Sequence, residues 1–151
     1  MPFYLDASAL VAIIALEPTH VVVRAVIAAD RDVPIVSDFA RAEASAALMR
    51  LVRIRNLARS EVPVVLKRLD DWALTVAEAR KTNGEDIEAA TAFVRRPELT
   101  LRAPAAIHIA AAHRLGATLL TLDRGLARAA ATLGVPCINP AEADAPGAPK
   151  D

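Results

Sequence analysis

The chain contains little cysteine, few aromatic residues and no excess of either charge. Among its 151 residues there is one cysteine, and aromatic residues make up 3%. The single Cys137 excludes an internal disulfide and favours a reducing compartment, and we expect a small buried residue in a late strand. Lys and Arg together number 18, as do Asp and Glu, so the net charge of zero provides no global attraction to nucleic acid or to an acidic membrane.

The apolar stretch at the start of the chain is too short to cross a bilayer. It covers residues 7–16, far fewer than the roughly 20 that a membrane-spanning helix needs. No basic segment precedes it, so we expect no signal peptide. These observations predict a cytoplasmic protein without a membrane partner.

What the chain does have is aliphatic residues. Apolar residues make up 54% of the sequence, so a core would consist mainly of Leu, Val, Ile and Ala. A chain of this length is typically one domain that buries roughly 70% of its unfolded surface. We assign residues 1–139 to that domain. Residues 140–151 include three prolines and a glycine, and we expect this tail to be disordered.

Short apolar runs alternate with segments of helical periodicity along most of the chain. The pattern predicts strands at residues 3–5, 33–36, 72–77, 117–122 and 135–138. Helices are predicted between them, with Ser8, Ser37 or Asp38, and Ser60 near their starts. Strands that alternate with helices indicate an α/β domain with a parallel sheet covered by helices on both faces.

Three acidic residues stand where an apolar run gives way to a turn or helix: Asp6, Glu43 and Asp123. Asp6 and Asp123 follow predicted strands, at the sheet edge where α/β proteins bind ligands. Glu43 borders a buried helical stripe, which is costly unless the carboxylate is paired or metal-bound. Such acids suit Mg²⁺ or Mn²⁺, and two ions about 3.5–4 Å apart can assist phosphodiester cleavage. Taken singly, each acid is more typical of a helix cap or a surface charge than of a metal ligand, and only the joint placement of the three favours a metal site.

Other polar residues have two interpretations each. His108 lies on an apolar helix, where structural packing is a simpler explanation than general-base catalysis. The arginines Arg50, Arg53, Arg55 and Arg59 either form a solvated helix face or contact phosphates. The salt dependence of RNA binding would separate the two.

Several alternative site classes lack their signature residues. A nucleotide-binding module would need a glycine-rich loop after the first strand, but residues 6–9 read DASA. A phosphatase with an aspartyl nucleophile would usually carry a second aspartate at the place of Ser8. A response-regulator-like receiver would need a lysine at the end of a late strand, and the only lysines are Lys67, Lys81 and Lys150.

Four blocks in order resemble the PIN-domain ribonucleases, especially the VapC-type toxins. The first is residues 4–10, YLDASAL, and the second is residues 38–43, DFARAE. The third is residues 101–108, LRAPAAIH, and the last is residues 116–126, GATLLTLDRGL, followed by LGVP at 133–136. The resemblance covers about residues 2–139, and four ordered blocks are far more specific than any one of them.

The resemblance implies a three-layer PIN-like sandwich with a central parallel sheet of about five strands. It further implies an endoribonuclease that depends on Mg²⁺ or Mn²⁺, a homodimer, and a cognate VapB-type antitoxin. Asp6, Glu43 and Asp123 correspond to its catalytic, metal-binding acids. Ser8 and Thr121 correspond to hydroxyl positions that orient a carboxylate or a metal-bound water.

The chain departs from the family pattern at Ala105, where the family typically carries a metal-binding aspartate. Because alanine offers no oxygen ligand, the resemblance implies an inactive or strongly weakened nuclease. A deliberate change and a natural degenerate copy both account for the alanine, and the intact remaining motifs favour a deliberate change. The alternative is a non-catalytic PIN-fold module that binds antitoxin or RNA.

Overall fold

A computed structural model describes residues 1–143. Its centre is a five-stranded, entirely parallel sheet. The strands are β1 (Phe3–Leu5), β2 (Ile35–Ser37), β3 (Glu78–Arg80), β4 (Thr118–Leu120) and β5 (Cys137–Ile138). They are arranged in the order β3-β2-β1-β4-β5. The prediction of an α/β domain with a parallel sheet is therefore confirmed.

Eight helices surround the sheet in the described part of the chain. They are α1 (Ala7–Ile14), α2 (His20–Ala29), α3 (Asp38–Arg53), α4 (Val62–Asp71), α5 (Gly84–Val94), α6 (Ala103–Arg114), α7 (Arg124–Thr132) and α8 (Pro140–Ala143). Within these residues, no helix has the length and apolar character needed to span a membrane.

Successive residues of the central strands belong to two different cores, because side chains of a strand alternate between the faces of the sheet. One core contains Tyr4, Ile35 and Leu119, and the other contains their successors Leu5, Val36 and Leu120. Helices α1, α3 and α4 contribute to the second of these cores, and α6 and α7 to the first. The helices thus cover both faces, which confirms the three-layer arrangement.

The prediction of a third strand at residues 72–77 is wrong, since Trp72–Val76 forms a π-helical turn that continues α4. The Trp72 N–H donates to carbonyls of α4, and the Ala77 N–H donates to the Trp72 carbonyl. Ala73 and Ala77 point inward with helical rather than alternating spacing. The true strand, Glu78–Arg80, begins at the residue after the predicted strand ends. It is exposed, so it has no apolar signal that periodicity could detect.

The carboxyl ends of β1, β2 and β4 form the edge of the sheet that carries the candidate site. The chain leaves β1 toward β2 on one side, whereas β4 lies on the other side of β1. Such a point of reversal leaves a crevice outside the strand ends.

Near the end of the chain, Pro140–Ala143 is a short helix rather than disordered. The rest of the predicted tail, residues 144–151, lies outside the described residues.

Candidate active site

Asp6 follows β1 directly and is almost fully buried, with 3% of its surface exposed. It caps α1, because its Oδ1 accepts hydrogen bonds from the Ala9 N–H at 3.0 Å and from the Ser8 hydroxyl at 2.7 Å. Its Oδ2 accepts from the Thr121 hydroxyl at 2.5 Å. Burial raises the pKa of Asp6, and His108 together with these hydrogen bonds opposes the rise. Ser8 and Thr121 thus fix the orientation of this carboxylate.

Glu43 lies in the second turn of α3 and ends a chain of buried hydrogen bonds. Its Oε1 is 2.5 Å from Nε2 of His108, whose Nδ1 is 2.9 Å from the Tyr4 hydroxyl. That hydroxyl is 2.8 Å from the Ser37 hydroxyl. Burial raises the pKa of Tyr4, so the phenol keeps its proton. In the tautomer that carries its proton on Nε2, His108 donates to Glu43 and accepts at Nδ1 from the Tyr4 hydroxyl.

His108 is packed as its apolar helix suggested, with 2% exposure and with the rings of Tyr4 and Phe39 against it. Its hydrogen bond to Glu43 was missed by the sequence reasoning. The available signal was that Glu43 borders a buried stripe and needs a partner. Nothing in the sequence indicated which residue would supply that partner.

Asp123 is exposed and caps α7, since its Oδ1 accepts from the Leu126 N–H at 3.0 Å. Its own N–H donates to the Thr121 hydroxyl at 3.0 Å, which links it to the hydrogen bonds around Asp6. The helix-cap interpretation therefore holds for both aspartates. It does not exclude a second role, because each cap leaves the carboxylate on the crevice side of the sheet.

One cavity of about 230 Å³ brings the predicted acids together. The three acids line it along with Ala105, and the four residues come from different elements of the fold. The other lining residues are Ala7, Ser8, Arg102, Pro104, His108 and Leu126. We call this space the acid cavity. Arg102 was not singled out from the sequence, and its place here follows only from the fold.

The residues of the acid cavity do not form a ready-made metal centre. Within residues 1–143, no three His, Cys, Asp or Glu side chains come close enough to hold an ion. Both oxygens of Asp6 already accept hydrogen bonds, as does one oxygen of Glu43 and one of Asp123. The donor chemistry suits a hard divalent ion, but the arrangement of the side chains in residues 1–143 does not fit one.

Arg50 and Arg53, two of the four arginines considered as phosphate contacts, lie farther along α3 than Glu43. At a rise of 1.5 Å per residue, Arg50 is about 10 Å beyond Glu43 and Arg53 about 15 Å beyond it. Arg50 lies on nearly the same helix face as Glu43. Arg53 instead lines a separate depression with Arg55 and Arg59. Neither arginine lines the acid cavity.

A family profile of the PIN domain matches residues 3–132, which include all the residues of the acid cavity. The chain belongs to the PIN domain family. PIN domains are generally nucleases and generally use divalent metal ions. No curated protein matches the chain in sequence.

Solved structures of three proteins resemble this PIN domain in fold. FitAcB from Neisseria gonorrhoeae has a TM-score of 0.69 and 19% identity, over 91% of this chain and 97% of that one. VapC20 from Mycobacterium tuberculosis, a sarcin–ricin-loop-cleaving toxin, has a TM-score of 0.66 and 16% identity, over 91% and 97%. PAE2754 from Pyrobaculum aerophilum has a TM-score of 0.61 and 20% identity, over 85% and 79%. At these identities the likeness shows the shared fold.

Proposed function

We propose that this PIN domain is the toxin of a VapBC-type toxin–antitoxin system, with an RNA-cleaving site that is inactive or weakened. The observation that carries the proposal is that Asp6, Glu43, Asp123 and Ala105 line a single cavity. Position 105 is where the family pattern has its further acid. An aspartate there would add a fourth carboxylate to the same cavity.

The cofactor of the intact site is proposed to be Mg²⁺ or Mn²⁺, since carboxylates from several elements are the ligands these ions prefer. In this chain the surrounding residues act on the acids themselves. Ser8 and Thr121 hold Asp6, and His108 holds Glu43. With alanine at 105, the remaining acids do not form a ready-made centre, which is why we expect little or no cleavage.

The decisive experiment restores the missing acid. Ala105→Asp should cleave RNA in the presence of Mn²⁺ about 100-fold faster than this chain, since even an outer-shell partner of a metal is worth 10- to 100-fold. The matched control is Ala103→Asp, which adds an acid to the exposed first turn of the same helix without lining the acid cavity. Absence of any gain with Ala105→Asp would count against this assignment of the site.

The second candidate is a non-catalytic PIN-fold module that binds antitoxin or RNA. It is favoured by the absence of a metal-binding cluster among residues 1–143. Titration with antitoxin and with RNA, alongside the cleavage assay, separates the two candidates. Binding by both this chain and Ala105→Asp, with no cleavage by either, supports the module.

The proposed partners are a VapB-type antitoxin, an RNA substrate and a second copy of this chain. An antitoxin that places an arginine or lysine into the acid cavity would form a charge-assisted hydrogen bond with Glu43 or Asp123. A toxin that acts on RNA beside its antitoxin would work in the cytoplasm. Light scattering at micromolar concentration should give the mass of a dimer, and a monomer would contradict that part of the proposal.

A further inference from the structure

A second, larger cavity adjoins the acid cavity between α6 and α7. Its volume is about 440 Å³, and it shares Arg102, Ala105, Asp123 and Leu126 with the acid cavity. Because the same side chains line both, the two spaces meet at the carboxyl edge of the sheet. We call the larger one the α6–α7 cleft.

Two arginines line the α6–α7 cleft together with two acids, Asp123 and Glu98. Arg102 precedes α6 and also lines the acid cavity, and Arg128 lies on the second turn of α7. Within residues 1–143, neither guanidinium forms an ion pair or a hydrogen bond. The other acid of the cleft, Glu98, is held by Arg96 at 2.8 Å. The cleft therefore offers two unpartnered cations to an anion.

Gly125 shows how close one of these cations is to the acids. A Cβ at this position would lie 3.3 Å from Oδ1 of Asp123 and 3.9 Å from Nη2 of Arg128. The carboxylate and the guanidinium thus flank one glycine where the two cavities meet. A phosphate held by Arg128 would therefore be a neighbour of the acid cavity.

The floor of the α6–α7 cleft is apolar. Leu99, Leu126 and Ala129 line it and are at least nine-tenths buried. Cations at the rim and an apolar floor suit a ribonucleotide, because its phosphate is anionic and its base presents flat, less polar faces. The volume also lies within the usual range of about 300–1,000 Å³ for ligand pockets.

We propose that the α6–α7 cleft holds the RNA segment next to the phosphodiester bond at the acid cavity, with Arg102 and Arg128 each contacting a backbone phosphate. This inference rests on the proposed action on RNA. The depression of about 550 Å³ lined by Arg53, Arg55 and Arg59 has more arginines but shares no residue with the acid cavity. Continuity with the acids therefore favours the α6–α7 cleft as the place for the substrate strand.

The test measures binding of a short fluorescent single-stranded RNA of mixed sequence in EDTA, over a range of salt concentrations. Arg102→Gln and Arg128→Gln should each weaken binding about fivefold, the upper end for an exposed charge pair. Each should also lower the slope of log affinity against log salt by about 0.7, because one phosphate contact is lost. Both side chains are exposed, so neither change should unfold the protein.

The matched control is Arg31→Gln. Arg31 is exposed and precedes Asp32, which binds the terminal amino group of Met1 at the opposite edge of the sheet. Its removal should leave both the affinity and the salt slope unchanged. Equal losses in all three variants would indicate a general charge effect and overturn the proposal.

The same variants in the Ala105→Asp background separate the two hypotheses. Weaker RNA binding without restored cleavage would support the cleft and contradict the proposed nuclease site. Restored cleavage with unchanged affinity and slope in both arginine variants would overturn the cleft alone. Unchanged RNA binding together with weakened binding of an acidic peptide would assign the arginines to a protein partner and likewise overturn it.

Discussion

Nε2 of His108 lies 2.5 Å from Oε1 of Glu43, although the two residues are 65 positions apart. The imidazole comes from α6 and the carboxylate from α3, so this contact joins helices that cover opposite faces of the sheet. The other ring nitrogen reaches Tyr4 on β1. One histidine therefore connects all three layers directly beneath the acid cavity.

Removal of this histidine should destabilise the fold. His108→Ala would leave a cavity between two aromatic rings and remove one of the two hydrogen-bond partners of the Tyr4 hydroxyl, at a cost of about 3 kcal/mol. The free energy of unfolding from urea titration measures this. His113→Ala, an exposed residue on the same helix, should change it by less than about 0.5 kcal/mol. Equal effects of the two variants would contradict the role of the buried network.

Asp6→Asn should stabilise the protein at neutral pH. Burial raises the pKa of Asp6 in the folded state. The contribution of Asp6 to the free energy of unfolding is therefore complete below its unfolded pKa and is lost as the pH rises through its folded pKa. The neutral amide avoids that loss while remaining able to contact Ser8 and Thr121. Urea unfolding in EDTA should show the gain at neutral pH and a smaller one near about pH 4, the usual Asp pKa. A variant that is less stable than the parent at neutral pH would contradict this prediction.

Ala105→Asp should have the opposite effect in the absence of metal. A further carboxylate near Asp6 and Glu43 adds like-charge repulsion of about 1 kcal/mol, which should lower the melting temperature in EDTA at neutral pH. Added Mn²⁺ should reverse the loss, since an ion that binds only the folded state stabilises it. Ala103→Asp should show neither change. Identical melting temperatures for Ala105→Asp and this chain in EDTA would argue against the crowding of acids.

The ion pair between Asp86 and Arg114 should make the free energy of unfolding decrease at acidic pH. Nε and Nη2 of Arg114 donate to the two carboxylate oxygens of Asp86 at 2.7 and 2.9 Å. Burial by itself raises the pKa of Asp86, but the hydrogen bonds from Arg114 and from the backbone of Asn83 outweigh it and lower the pKa. The contribution of this pair to the free energy of unfolding is thus present above the unfolded pKa of Asp86 and is lost as the pH falls through its folded pKa.

The corresponding variant is Arg114→Ala, which leaves the buried Asp86 carboxylate without its partner. We expect a loss of about 3 kcal/mol at neutral pH, measured by urea unfolding. The loss should shrink as the solution is acidified and Asp86 becomes protonated. Arg95→Ala, which removes an exposed arginine after α5, is the control. A loss that stays constant from neutral to acidic pH would show that packing rather than charge is responsible.

The sequence predicted the elements with a strong local signal and failed where that signal was missing. Strand β1 and helix α3 follow from a buried run and an apolar stripe of residues such as Ala40, Ala44 and Leu48. The exposed strand β3 has no such pattern. The π-helical turn of Trp72–Val76 contains β-branched residues typical of strands, but the preceding helix continues into it.

By itself, the sequence determined that Asp6 and Asp123 follow buried strands and precede helices, because hydrophobic periodicity and capping act over a few residues. It also determined that position 105 offers no carboxylate. Only the tertiary structure decided that His108 binds Glu43 and that Arg102 faces both cavities. Those contacts depend on the order of strands in the sheet and on the packing of α3, α6 and α7, which bring together residues from distant parts of the chain.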